Sequence, residues 1–354
     1  MKDLQIVELA SVLAGPSVGM FFAELGATVI KIENKKTGGD VTRTWRLPSE
    51  SEEGVSAYFS SVNWGKQHLF LDLNDPQDRA IAIAQIAKAD IVISNYKEGD
   101  DIKLGMDYAS LEKLNNKLIY GRISGFGPGD ERPAFDVVLQ AESGFMAMNG
   151  TPDSGPLKMP VALIDVLAAH QLKEALLLAL IKRDKKGEGS YVNVSLYDSA
   201  VCSLMNQATN YLMAHHIPGR QGSLHPNIAP YGETFITNDK RFVVLAVGND
   251  AQFKLLCNTL GDPMMPTLER YKTNPERVKN RKMLYDELAP LFYQYDRDSL
   301  MDLLIKNGIP AGAVRSMDEV FSDHRSQSLL LGEEVDGQMT IRVRSTAFDP
   351  NTVL

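Results

Sequence analysis

The sequence predicts a doubly wound α/β protein built on a parallel sheet, with a second, smaller α+β domain after it. Three observations carry this reading. The first 200 residues alternate short runs rich in Ile, Val and Leu with helix-like stretches. Those runs are apolar almost throughout, as suits strands buried on both faces. Past residues 217–232, which hold three prolines and three glycines, the rhythm changes to a hairpin followed by helices.

In order, the strand-like runs are 4–9, 27–33, 68–73, 90–95 and 117–124. The stretch 16–25 reads as a helix with Pro16 at its first position and Gly26 just past its end. Residues 76–88 form a second. The stretch 166–183 is helical, with Leu172, Leu176, Ala179 and Leu180 on one stripe, and Lys182, Arg183, Lys185, Lys186 and Gly187 mark its C-terminus. Residues 191–197 alternate as a half-buried strand, and Asp198 opens a helix that fades near His215. Later, 234–237 and 241–247 flank a turn at Asn238-Asp239-Lys240. Helices are expected at 251–260, 275–295 and 298–307, then a strand at 311–315, and Ser316 with Glu319 forms a capping box. The expected division is 1–200, a linker at 201–232, a small domain at 233–325 and a return linker at 326–354.

The composition narrows the function. The 354 residues include 37 Lys or Arg against 45 Asp or Glu, a net charge of −8 without a basic block, which argues against nucleic acid. Two distant cysteines, Cys202 and Cys257, suggest a reducing cytoplasm, not a disulfide scaffold. The N-terminus lacks a signal-peptide core, and the longest apolar stretch, 175–181, is far short of a membrane span. The six histidines show no metal-binding spacing, so no metal is expected; P-loop, complete dinucleotide and GxSxG motifs are absent as well.

Three features retain chemical interest, each with two readings. Leu13-Ala14-Gly15-Pro16 after the first strand is either a plain strand–helix turn or an anion site made by a helix N-terminus. Asp165, just before Val166, is either an N-cap or an ionised carboxylate held at a helix start and able to attack a carbonyl. The run Ser124-Gly125-Phe126-Gly127-Pro128-Gly129, followed by Ala134-Phe135-Asp136 and Gln140-Ala141-Glu142-Ser143-Gly144, is either a surface loop or a place where backbone approaches a ligand.

Together these stretches resemble the class III CoA-transferase family, of the formyl-CoA transferase and carnitine-CoA transferase type. The resemblance runs from Leu13-Ala14-Gly15-Pro16 and 25–33 through Gly39-Asp40 with Arg43, Asn63 with Gly65-Lys66, Leu71-Asp72-Leu73, 89–96 and Ser124-Gly125-Phe126-Gly127 to Gly187, Gly189 and 192–196. It implies a large Rossmann-like domain, a small domain and an interlinked homodimer. It also implies catalysis at Asp165: attack on an acyl-CoA thioester, an acyl–aspartyl anhydride, an aspartyl-CoA thioester and transfer of CoA to a small carboxylic acid. Coenzyme A is then a substrate, and no cofactor is expected. CoA contacts are implied from Val12, Leu13 and Ala14, from Leu71 and Leu73, and from Asn95, Tyr96, Lys103 and Leu104. Asn34 and Asn74 stand where some members carry a basic residue, with Lys35, Lys36 or Lys103 as replacements. The acyl pocket is expected to include 218–232, with Arg220, His225 and Tyr231.

Two alternatives belong to the same fold. A 2-methylacyl-CoA racemase would carry a His before Asp136, where this chain has Phe135, and His170 reads as a packed core residue. A non-catalytic acyl-CoA-binding relative would have no need of Asp165.

Overall fold

The computed structural model describes residues 1–130, 132–335 and 337–352. The chain forms two compact units: Met1–Ala147 with Lys158–Pro218 and Ser328–Leu354, and Met148–Leu157 with Gly219–Gln327.

The first unit holds β1 (Gln5–Leu9), β2 (Thr28–Asn34), β3 (Lys66–Leu71), β4 (Ile91–Ser94), β5 (Ile119–Ser124) and β6 (Ser190–Ser195). They form one parallel sheet in the order β3-β2-β1-β4-β5-β6, as the alternating pattern predicted. Strand ends shift from the sequence expectation by a residue or two. The chain runs outward in one direction from β1 to β3 and in the other from β4 to β6. The crevice between β1 and β4, at the carboxyl ends of the strands, is where such sheets bind ligands.

Helices cover both faces, which explains the unbroken apolar runs. On one side Ile6, Val29, Ile91 and Ile119 pack against α1 (Ala14–Glu24) and the long helix Leu163–Lys186 through Val18, Phe22, Leu172 and Leu176. On the other, Val7, Leu9, Val92 and Tyr120 meet Ala82 and Ile86 of the helix Pro76–Ile86. Asp75 caps that helix by accepting from the N–H groups of Gln77 (2.9 Å) and Asp78 (3.1 Å).

The three strands on the β1 side of the crevice break the apolar rule. Glu8 in β1 and Lys31 in β2 are fully buried, and Lys66 at the start of β3 nearly so. Glu8 lies 2.9 Å from the Lys31 ammonium and 2.8 Å from that of Lys66. Gly19 of α1 passes directly over this carboxylate, and a Cβ there would overlap Glu8 Oε2.

Residues 330–343, expected as part of a return linker, form an antiparallel hairpin of β10 (Leu330–Val335) and β11 (Gln338–Val343). The signal was present as an Asp336-Gly337 pair between two runs of strand-forming residues. The hairpin is pinned to α1: Arg342 forms a buried ion pair with Glu24, which also accepts from the Ser345 N–H at 2.8 and 2.9 Å.

The second unit is built on an antiparallel sheet of β7 (Tyr231–Ile236), β8 (Phe242–Ala246) and β9 (Ala311–Ala313). Its core gathers Phe235, Val243, Leu245, Phe253, Leu288, Phe292 and Leu300. The single helix expected over 275–295 is two, Asn274–Lys279 and Arg281–Phe292. They break at Asn280 (φ −102°, ψ 23°), whose amide donates to the carbonyls of Glu276 (2.9 Å) and Arg270 (3.2 Å) and so competes with the helical ladder. Among the described residues, no helix is long and apolar enough to cross a membrane, and no cluster has the composition of a metal site.

The close passage of α1 over Glu8 makes Gly19 a sensitive position. Gly19→Ala is expected to lower stability by about 2 kcal/mol, since a methyl group forced into a filled core costs roughly 1–3 kcal/mol. Urea denaturation should show a lower midpoint at unchanged slope.

Candidate active site

Three adjoining cavities follow the carboxyl ends of β2, β1, β4 and β5. One of about 410 Å³ lies over β2 and β1, between Asn34, Gly39, Asp40 and Tyr96. One of about 270 Å³ lies over β4 and β5, between Tyr96, Arg122, Ser124 and Gly127. A smaller one, about 110 Å³, shares Ser11 with the first and Asn95, Ser124, Gly125 and Phe135 with the second. Asp165 lines this smallest cavity with Val12, Leu13 and Ala14.

Asp165 is not an N-cap. The helix Leu163–Lys186 begins two residues before Asp165, and its N-cap, Ala162, offers no side-chain acceptor. The cap comes from elsewhere in the chain: Asp136, first residue of the helix Asp136–Glu142, accepts from the Ile164 N–H at 2.7 Å. Its other oxygen accepts from Gln140 Nε2 at 2.6 Å. With that role filled, Asp165 occupies the first turn, and its carboxylate has no hydrogen-bond donor among the described residues.

The expected ionised state is therefore also corrected. Burial, and then the charge of Asp136, push the Asp165 carboxyl up from 3.8 to about 7. The positive end of its own helix favours the charged form. The result is a basic carboxylate, 8% exposed, facing a cavity.

The loop that faces it is held at each peptide. Ala10 C=O accepts from Lys31 Nζ at 2.6 Å. The Ser11 N–H donates to Asn95 Oδ1 at 3.0 Å, and its C=O accepts from Asn95 Nδ2 at 2.8 Å. The Val12 N–H donates to both oxygens of Asp40, at 3.1 and 3.3 Å. Val12 has φ 71°, a left-handed conformation that a β-branched residue enters only under constraint. The helix α1 then starts with Leu13 as N-cap, without a side-chain cap or an acidic residue in its first turn. Its first N–H groups therefore lack intrahelical acceptors. Gly15 is needed because a Cβ there would overlap the Cβ of Ala10.

The other expected contacts separate. Asn95 and Tyr96 line the crevice, and burial pushes the Tyr96 hydroxyl up to about 12. Leu71 and Leu73 are buried in the apolar cluster under the sheet, against which Leu104 also packs, so their side chains face core. Lys103 is exposed and pairs with Asp100 at 2.8 Å. Lys35 and Lys36, offered as replacement cations, pair with Asp78 and Asp72 respectively. Such surface pairs are weak enough to exchange for a phosphate. Arg220, His225 and Tyr231 belong to the second unit, where the His225 ring meets Tyr231 edge-on at 5.2 Å and Arg220 Nε is buried without a partner. His170 is exposed, not a core residue: it lies with Gln171, Glu174 and Leu178 on the outer face of its helix.

Sequence reading missed two groups, Tyr58 and Arg122, and named a third, Ser124, only as part of a run. Tyr58 lies close enough to feel the charges of Asp165, Asp136 and Asp40, which together with burial raise its hydroxyl; its ring meets Trp45 edge-on at 5.1 Å. Arg122 Nε and Ser124 Oγ are buried without partners, and both residues line the 270 Å³ cavity. No spacing marks Tyr58 or Arg122, while Ser124 stood at the head of the glycine-rich run.

Residues 1–351 match the sequence model described as CoA-transferase family III, and the chain belongs to that family. It is 38% identical over 345 residues to a succinate–glutarate CoA-transferase of Agrobacterium fabrum, covering 96% of this chain and 86% of that protein. A succinyl-CoA:mesaconate CoA-transferase of Haloarcula marismortui is 34% identical, with 96% of this chain and 88% of that one covered. Among solved structures, a CaiB/BaiF family protein from Brucella suis superposes with a TM-score of 0.88 at 38% identity, covering 98% of this chain and 91% of that chain.

The raised Asp165 has a measurable sign. Its folded pKa, about 7, exceeds its ordinary 3.8. The stability it contributes is thus present below about pH 4 and lost as pH rises through 7. Asp165→Asn should melt above the wild type at pH 8, by up to about 4 kcal/mol, and the difference should vanish near pH 4. Thermal melts of both proteins across that range check it.

Proposed function

We propose that this chain transfers CoA between succinyl-CoA and a second short dicarboxylic acid, with Asp165 as the attacking group. The observation that carries the reading is a buried, basic carboxylate at the wall of a crevice over the carboxyl ends of a doubly wound sheet. The dicarboxylate class is supported by relatives named for succinate, glutarate and mesaconate.

An Asp165 oxygen attacks the thioester carbonyl; the C–S bond breaks, and its electron pair leaves as CoA thiolate. The thiolate attacks the aspartyl carbonyl of the resulting anhydride and releases the first acid as its carboxylate. The acceptor carboxylate then attacks the aspartyl-CoA thioester, and the thiolate returns to the acceptor's carbonyl, restoring Asp165. Each exchange replaces one high barrier by two lower ones. Val12, Leu13, Ala14, Asn95 and Tyr96 would border CoA in the crevice. Lys103 would approach its phosphates, with Leu104 beside it, and the backbone of Leu71 and Leu73 would close the far side.

Phe135 at the cavity wall has no proton to exchange, which disfavours the racemase reading. An interlinked homodimer is supported by the helix Met205–Ala214, none of whose residues is buried and whose Met205, Leu212 and Met213 are each more than 70% exposed.

With succinyl-CoA and glutarate, initial rates should follow a ping-pong pattern, and mass spectrometry should find a CoA-sized adduct on Asp165. The exchange rate should rise with pH and level off above about 7, since attack requires the ionised carboxylate. Asp165→Ala should lose activity by about a thousandfold or more. Retained exchange in that variant would overturn the mechanism.

A further inference from the structure

We infer that Asp40 is a positioning residue: through the Val12 peptide it sets the N-terminus of α1, whose open N–H groups receive the negative charge that develops on the thioester oxygen. This rests on Asp165 being the nucleophile.

Asp40 is sequestered from solvent and fully engaged. One oxygen accepts from the Thr42 N–H (3.0 Å) and hydroxyl (2.8 Å), and the other lies 3.0 Å from Lys31 Nζ. Lys31 in turn pairs with Glu8, and Glu8 with Lys66, whose ammonium donates to Pro16 C=O in α1 at 2.9 Å. Both ends of this buried chain of charges therefore terminate on the segment 12–16: Asp40 on the Val12 N–H, Lys66 on the Pro16 carbonyl. Four buried charges linked by three ion pairs are an expensive way to fill space, since apolar replacement of buried pairs is often neutral or stabilising. What they supply is a fixed location for two peptide groups. Val12 adds the second observation, because its left-handed backbone persists only where its surroundings over-determine it. Leu13 and Ala14 immediately follow that residue, line the same cavity as Asp165, and open a helix with no cap.

As the Asp165 oxygen bonds to the acyl carbon, the carbonyl π pair moves onto its oxygen. When the C–S bond breaks, that pair returns and the sulfur leaves with the bonding electrons. Preorganised N–H donors act on the transient oxyanion and contribute little to ground-state binding. A positional error in them should therefore appear in kcat and not in KM.

The test is Asp40→Asn, alone and combined with Val12→Gly, assayed for exchange and for the rate of adduct formation on Asp165 with succinyl-CoA. Asp40→Asn should lower kcat by about 30-fold with KM changed less than about threefold, less than the roughly 100- to 1,000-fold loss when an oxyanion donor is removed outright, because the donors are displaced and not deleted. Glycine adopts φ near 71° without strain, so Val12→Gly in the Asp40→Asn background should restore kcat by roughly tenfold. Loss confined to KM, or no rescue, would overturn the proposal. Should Asp40→Asn not fold, Thr42→Val, which removes one donor to Asp40, should show the same kcat-selective loss on a smaller scale, and unchanged kcat would count against it. A wild type with no adduct on Asp165 removes the nucleophile and this proposal together. A wild type with the adduct, and Asp40→Asn forming it equally fast, removes the positioning role alone.

Discussion

The first unit depends on keeping Glu8, Lys31, Lys66 and Asp40 mutually satisfied in a place where water cannot reach them. Each of these groups alone would destabilise the sheet, because an uncompensated buried charge costs several kcal/mol. Together they alternate in sign, and the titration of Glu8, Lys31 and Lys66 reflects that order. Burial, helped by repulsion from Lys31, pulls Lys66 down to about 7 against the attraction of Glu8. Burial also opposes ionisation of Glu8 and Lys31, but their partners outweigh it, so Glu8 is held below its ordinary value and Lys31 above. Gly19 exists to leave room for this array, and the apolar packing on either face of the sheet is arranged around it.

The same economy of partners explains Asp165. A carboxylate in the first turn of a helix ordinarily finds N–H donors and becomes a stronger acid. Here Asp136 reaches across from another helix and takes the donor at Ile164, and its negative charge then raises Asp165 further. One hydrogen bond thus completes the helix start and withholds stabilisation from the neighbouring carboxylate. Phe135, next in sequence to Asp136, lines the same small cavity as Asp165.

Much of this fold was legible because parallel strands covered on both faces announce themselves as runs rich in Ile and Val, and β4, Ile91–Ser94, does so most plainly. Asp165 was singled out by its place before a long helix, although the physical reason given for its charge state was reversed; nothing in the spacing of Asp136 and Asp165 tells that one caps the other's helix across 28 intervening positions. The positive φ of Val12 could not be read either, since valine is the wrong residue for it and its N–H finds its acceptor in Asp40, distant in sequence. Glu8 and Lys31 sat in the strand-like runs 4–9 and 27–33, and Lys66 lay two residues ahead of the run 68–73. Their pairing needs the strand order β3-β2-β1, which periodicity alone does not supply. His170 was misjudged for a simpler reason: the Leu-rich stripe at Leu172 and Leu176 is one face of its helix, and His170 lies on the other.

A carboxyl near 7 is better matched to this chemistry than one near 4. The proposed exchange moves an acyl group back and forth between a carboxylate oxygen and a thiolate, and a thiol titrates at about 8.5. An ordinary carboxylate is so much weaker a base that its attack on a thioester runs steeply uphill and the anhydride hardly accumulates. Raising Asp165 by burial and by Asp136 would narrow that gap and bring the proposed covalent states closer together in free energy. The raised basicity also strengthens the nucleophile, while at neutral pH about half of it remains ionised. In the proposed mechanism the folded chain would supply that energy in advance by holding a carboxylate where it is poorly solvated, and would recover it when the charge leaves Asp165 for the thiolate.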